Sequence, residues 1–119
     1  MSFRFEGLVI WSGSNTFASK VYRFTKSLPR SEQFGLSDQL RRAANSIPVN
    51  IAEGAGSASN KDFANFLNIA IRSIFEVVSL LFRCEQESYL SRAQRERFYQ
   101  EAELLVKQIQ AFRAKLIQR

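Results

Sequence analysis

Phe63, Leu67, Ala70, Ile74, Val77, Leu81 and Cys84 step along the chain by fours and threes without a miss, and Phe98, Ala102, Leu105, Ile109, Phe112 and Leu116 do the same. Alternating steps of three and four hold one seam toward a partner helix, as in left-handed bundles. The pattern predicts a helix that begins after Ser59 or Asn60, either of which suits an N-cap, and runs to about Glu87. A further helix follows Ser91 and continues toward the C-terminus. Earlier in the chain, Ile10, Phe17, Val21, Phe24 and Leu28 predict a first helix over about Phe5–Leu28, stopped by Pro29. Leu36, Leu40, Ala43, Ile47 and Ile51 predict a second, ending at the glycines Gly54 and Gly56. No stretch alternates with period two for long enough to form a strand.

The second segment carries Pro48 inside its apolar beat. Proline removes a backbone donor and crowds the carbonyl four residues back, that of Ala44, at about 3 kcal/mol. The beat does not slip across it and Ile47 is a poor N-cap, so the expectation is one helix kinked at Pro48. Short connections make consecutive helices antiparallel. The expected fold is therefore all-α, a single up-down-up-down four-helix bundle over residues 1–119 in which the first and last helices are neighbours.

Two segments hold more apolar surface than one seam uses. The third adds Phe66, Ile69, Ile71, Phe75, Val78, Leu80 and Phe82. The first has a second stripe of Leu8, Trp11, Ala18 and Tyr22, roughly 120° from the first at the helical 100° per residue. A helix apolar over most of its circumference must be covered on more than one side. Self-association covers it; so does a wide, phenylalanine-rich core within one subunit, and eleven phenylalanines could supply that core.

Composition narrows the class. At 119 residues, with 45% hydrophobic and 24% charged side chains, the chain fits a globular domain rather than a disordered one. It has no uncharged apolar run of membrane-spanning length and no signal-peptide pattern, so a soluble cytoplasmic protein without a membrane partner is expected. The absence of histidine removes the usual general base and the commonest metal ligand. One cysteine, Cys84, makes neither an internal disulfide nor a zinc site, and on a helix seam it reads as a small buried hydrophobe. No enzyme, metal or cofactor is expected.

The net charge of +6 is unevenly placed. Residues 1–30 hold five basic and one acidic side chain and residues 89–119 hold seven and three, whereas the two middle quarters are slightly acidic. The bundle would set the two basic quarters side by side. Arg23, Lys26 and Arg30 share a face of the first helix, with Lys20 at its edge; the last helix adds Arg92, Arg95, Lys107, Arg113, Lys115 and Arg119. These are either an ordinary solvated surface or a phosphate-binding one. Arg97–Glu101 and Glu103–Lys107 have the spacing of i,i+4 ion pairs. On the second helix Arg42, Ser46, Asn50 and Glu53 form one polar line. It is read either as a pocket or as a structural network that satisfies the carbonyl freed by Pro48, or pairs across a subunit boundary.

Trp11, Leu28-Pro29, Glu32, Phe34-Gly35-Leu36, Gln39-Leu40-Arg41-Arg42-Ala43-Ala44, Ser46-Ile47-Pro48, Asn50-Ile51-Ala52-Glu53-Gly54, Phe63, Phe66-Leu67, Ile69-Ala70, Ser73 and Glu76 resemble a bacterial four-helix-bundle family. Its members are encoded by intervening sequences in large-subunit ribosomal RNA genes, and it is related to the accessory variability determinant of diversity-generating retroelements. The resemblance is specific through residues 28–76, and the last helix matches only in period. Gly13, Ser14, Ser57 and Arg72 stand where the family tends to carry lysine, alanine, a basic residue and glycine. The resemblance implies a homopentamer with a central channel and no known enzyme activity. For the retroelement members it also implies nucleic-acid binding and association with a reverse transcriptase. The expectation is thus a non-enzymatic oligomer that binds RNA or DNA with little sequence specificity, with a scaffold for an acidic protein partner as the alternative.

Overall fold

A computed structural model describes residues 2–118. Helices α1 (Val9–Thr25), α2 (Leu36–Ala55), α3 (Asn60–Gln86) and α4 (Arg92–Leu116) account for most of the chain, and the described residues contain no strand. Local chemistry fixes the ends. The Ser59 hydroxyl, rather than the Asn60 side chain, accepts from Asp62 N at 3.1 Å and starts α3. Ser91 and Gln94 form a reciprocal capping box at the start of α4, with bonds of 3.1 and 3.0 Å. At the end of α3, Tyr89 N bonds Cys84 O and Ser88 N bonds Glu85 O. This Schellman-type closure puts Ser88 at φ 63°, the left-handed position that glycine usually fills.

Two boundaries of the first segment differ from the sequence reading. Residues Arg4–Gly7 form a separate 3-10 turn, Leu8 is extended, and α1 begins only at Val9. Phe5 is the expected start of the helix, but its ring packs edge-on against Trp11 at 4.8 Å, which needs the chain to fold back. The helix also stops at Thr25 rather than Leu28.

Pro48 lies inside α2, which continues on both sides of it as one element. Consecutive helices are neighbours, α1 closes the ring on α4, and the diagonal pairs have no close backbone approach. Side-chain contacts run in opposite directions along adjoining helices. Gly54 meets Phe63 and Ser46 meets Ser73 between α2 and α3, while Phe63 meets Phe112 and Phe82 meets Tyr99 between α3 and α4. The helices are therefore antiparallel, with up-down-up-down order. α2 and α3 share the most extensive contact and α1 and α4 the least. Ala43, Ala44, Gly54 and Ala55 are buried, and such small side chains let the α2 backbone approach closely.

All seven α3 seam residues are buried, with Ala102, Leu105 and Ile109 from α4. α3 is also long and apolar enough to cross a bilayer by length and composition, but here its seam forms the bundle core. The two extra apolar faces fare differently. Leu8, Trp11 and Ala18 pack against the core within the subunit, leaving only Tyr22 of the second α1 stripe exposed. On α3, Phe75 stays 63% exposed and Phe82 45%, so that face is not covered by its own chain.

Candidate nucleic-acid interface

The antiparallel ring sets the C-terminal half of α1 beside the N-terminal half of α4. Between them lies an open cleft of about 480 Å³ whose walls include Lys20, Arg23, Gln94, Arg97 and Glu101. Arg23, Lys26 and Arg30 are exposed, and none forms an ion pair with a described carboxylate. Arg23 and Lys26, at the end of α1, suit the negative pole of the helix dipole. Arg30, expected on the same helix face, lies beyond Pro29 in a 3-10 turn over Arg30–Glu32, because α1 ends before it, so the three do not share one face. Arg92 is exposed at the start of α4.

Lys20 belongs to the same strip but is engaged, its Nζ 3.0 Å from Glu101 Oε1 across the α1–α4 seam. That contact overturns the expected Arg97–Glu101 pair. With Glu101 turned toward α1, Arg97 is exposed and pairs with no described carboxylate. Arg97 is thus a basic residue of the cleft that sequence spacing had assigned elsewhere. The Lys107–Glu103 pair does form, at a long 4.0 Å on an exposed face.

Arg95 departs most from expectation. It is 8% exposed, with Nε 2.6 Å from Glu85 Oε1 and Nη1 3.2 Å from Glu96 Oε1, and its guanidinium carbon lies 4.4 Å from the centre of the Phe82 ring. The hydrogen bond to Glu85, opposed by desolvation, leads the causes that raise its pKa. A guanidinium so enclosed and neutralised does not offer a phosphate contact, and Arg95 leaves the candidate set. The signal was in the sequence: Arg95 stands three residues before Phe98 and so continues the α4 seam toward its N-terminus.

Arg113 and Lys115 lie at the opposite end of α4, roughly 30 Å from Arg92 at 1.5 Å per residue. Lys115 is exposed, and Arg113 is half-buried with its Nε unbonded among the described residues. They cannot share one compact site with Arg23 and Arg92. Arg119 lies outside the described residues.

The polar line on α2 also divides. Asn50 Nδ2 donates to Ser46 O at 2.7 Å and to Ser46 Oγ at 2.8 Å, and the Ser73 hydroxyl donates to Ser46 Oγ at 2.8 Å from α3. Ser73 and its Ile69 carbonyl, 3.0 Å away, extend the chain. This is a structural network tying α2 to α3. Arg42 lies outside it, paired with Asp38 at 3.1 Å and well exposed, and Glu53 is exposed with no side-chain hydrogen bond among the described residues. The network also meets the Ser46 carbonyl rather than that of Ala44, which Pro48 frees. The expectation that these four side chains act together holds only for Ser46 and Asn50.

No cluster of acidic, cysteine or histidine side chains suited to a metal occurs among the described residues. Cys84 is fully buried, and that burial, with the Glu32 charge as a lesser cause, pushes its thiol from 9.0 up to about 11. At neutral pH it remains protonated and is a poor nucleophile.

These features define a basic, all-α bundle with a polar network between α2 and α3 and exposed cations on α1 and α4. The sequence matches the family described as 23S rRNA-intervening sequence protein over residues 6–111, and the chain belongs to that family. A crystal structure of a protein of unknown function from the S23 ribosomal protein family of Bacteroides thetaiotaomicron VPI-5482 is similar. It is 28% identical, with a TM-score of 0.80 over 93% of this chain and 100% of that one. No curated protein matches the sequence.

Proposed function

We propose that the protein is a non-enzymatic, self-assembling basic bundle that binds RNA or DNA through phosphate contacts with little sequence specificity. In this reading it serves as an accessory to an RNA- or DNA-processing partner, of which a reverse transcriptase is one kind. The observation that carries the proposal is a set of exposed cations without described carboxylate partners: Arg23 and Arg97 line the α1–α4 cleft, Lys26 and Arg30 follow the end of α1, and Arg92 opens α4. Cations held apart from carboxylates keep their full attraction for a phosphate backbone. Assembly multiplies that attraction: at +6 per chain, a ring of five would carry about +30. The exposed Phe75 and Phe82 face of α3 supplies apolar surface for self-association.

Fluorescence anisotropy with unrelated RNA and DNA oligonucleotides across a salt series tests the binding. Affinity should fall steeply with salt, because each neutralised phosphate releases condensed counterions. Replacing Arg23, Lys26, Arg30 and Arg97 together with glutamine should weaken all oligonucleotides alike and flatten the salt slope, with the assembly intact. Absence of binding near about 50 mM salt, where phosphate contacts are strongest, would overturn the proposal in favour of a scaffold for an acidic protein.

A further inference from the structure

Tyr22 is displayed, and its surroundings are ordered from beneath. Thr25, only 2% exposed, donates its hydroxyl proton to the Tyr22 carbonyl at 2.6 Å and accepts from Arg41 Nε at 2.9 Å. The buried hydroxyl thereby holds the Arg41 guanidinium, whose central carbon lies 5.1 Å from the centre of the Tyr22 ring. On the same ring, Lys26 Nζ is 5.2 Å from the centre. Tyr22 nonetheless remains 49% exposed, and it forms one wall of a cleft of about 440 Å³ between α1 and α2, with Asn15, Asn45 and Arg42 among the others.

A strap between α1 and α2 needs only Thr25 and Arg41. The Arg41 guanidinium uses part of the ring, but the ring's remaining exposed surface and the lysine beside it suit a ligand with a flat face and a negative charge next to it. Tyr22 is next to Arg23, which lines the α1–α4 cleft, so the ring borders the proposed phosphate track. We propose that Tyr22 is a stacking platform for a base of single-stranded nucleic acid, an inference that rests on the phosphate-binding reading above. The base lies on the exposed part of the ring, Arg41 stays where Thr25 holds it, and Lys26 turns from the ring to the adjoining phosphate. Every base has a π-face, so stacking adds affinity without demanding a sequence. A duplex hides those faces within its own stack and engages only the cations.

Three labelled probes of equal length at one salt concentration separate these terms: an intact single strand, the same strand with abasic sites, and its duplex. The intact strand should bind tightest. Tyr22→Leu should weaken it by about tenfold, within the range for loss of one base–aromatic stack, and leave the abasic strand and duplex within about twofold. Tyr22→Phe should behave like the parent, and the salt slope of Tyr22→Leu should be unchanged because no phosphate contact is lost. Equal weakening of all three probes, or a parent protein that does not distinguish intact from abasic strand, would overturn the platform and leave the phosphate reading standing. A change in assembly mass on Tyr22→Leu would assign the ring to a subunit contact and overturn it equally. Failure of the parent to bind any probe would remove the phosphate reading and the platform with it.

Discussion

The Tyr89 hydroxyl donates to Glu32 Oε2 at 3.0 Å, across 57 positions of sequence. The bond joins the α1–α2 loop to the α3–α4 loop at one end of the bundle. Tyr89 is presented by the closure at the end of α3, and Glu32 also reaches Leu36 N at 3.5 Å, near the start of α2. Loops that would otherwise fray separately are tied together there. The carboxylate it donates to is the leading cause that pushes the Tyr89 phenol above its ordinary range.

Tyr89→Phe should lower the melting temperature by about 3 °C, as loss of one partly exposed hydrogen bond does in a domain of this size. Combined with Glu32→Ala, the two changes should be non-additive, because each removes the same contact. Strict additivity in thermal melts would show that the bond contributes nothing.

Gly54→Ala should destabilise the fold by about 1–3 kcal/mol, the usual cost of overpacking. A β-carbon at Gly54 would stand 2.7 Å from Phe63 Cδ1 and 2.8 Å from Phe66 Cβ. Neither is the end of a flexible chain, so α2 and α3 must separate. Urea unfolding checks this, and an unchanged midpoint would mean that the α2–α3 contact yields freely. The helix-stop reading fits Gly56, the C-cap, but not Gly54, which lies inside α2 and serves the close approach to α3.

Much of the bundle was legible because helical spacing is a local property. The α3 seam from Phe63 to Cys84, the Ser91 start of α4 and the passage of α2 through Pro48 all follow from residues within a turn or two of one another. The start of α1 did not, because the break at Leu8 accompanies packing of Phe5 on Trp11, which no wheel displays. The candidate interface was half legible for the same reason. A wheel placed Arg23 and Lys26 outward, but could not say that Glu101 would turn to Lys20 and leave Arg97 unpaired. The Thr25–Arg41 bond under Tyr22 likewise joins separate helices.

Alkaline pH should expose the buried thiol. Cys84 is raised from 9.0 to about 11 in the folded chain, so between those values the folded state keeps a proton that the unfolded state has lost. The stability is present in full below pH 9.0 and is lost as pH rises through about 11. By linkage the shift amounts to about 2–3 kcal/mol. Urea melts should therefore show a falling limb across this window that is shallower in Cys84→Ala. Equal slopes in both proteins would show that the thiol titrates normally.

Assembly should depend on the outer face of α3. Phe75 is 63% exposed, and its neighbours Phe82 and Tyr99 border an apolar cleft of about 570 Å³ between α3 and α4. Light scattering at micromolar concentration should give several times the 13.7 kDa of one chain. Phe75→Glu should return the mass toward a single chain without loss of helical circular dichroism, since the residue lies outside the core. A parent protein that is monomeric throughout would remove the apolar face as an interface.

Arg95 and Arg97 are two residues apart on α4, and their substitutions should have opposite signatures. Arg95→Gln breaks the 2.6 Å pair with Glu85 and the stacking on Phe82, leaving the part-buried Glu85 without its partner. Removing one member of an enclosed pair is costly because the other remains desolvated. The melting temperature should fall by several degrees, while affinity for oligonucleotides, measured well below the melt, should hold. Arg97→Gln removes an exposed charge with no described carboxylate partner, so stability should be unchanged. If Arg97 neutralises a phosphate, its loss should lower the salt slope by about one counterion and weaken every sequence alike. The reverse outcome, with Arg95→Gln losing binding at full stability, would return the phosphate site to the seam between α3 and α4.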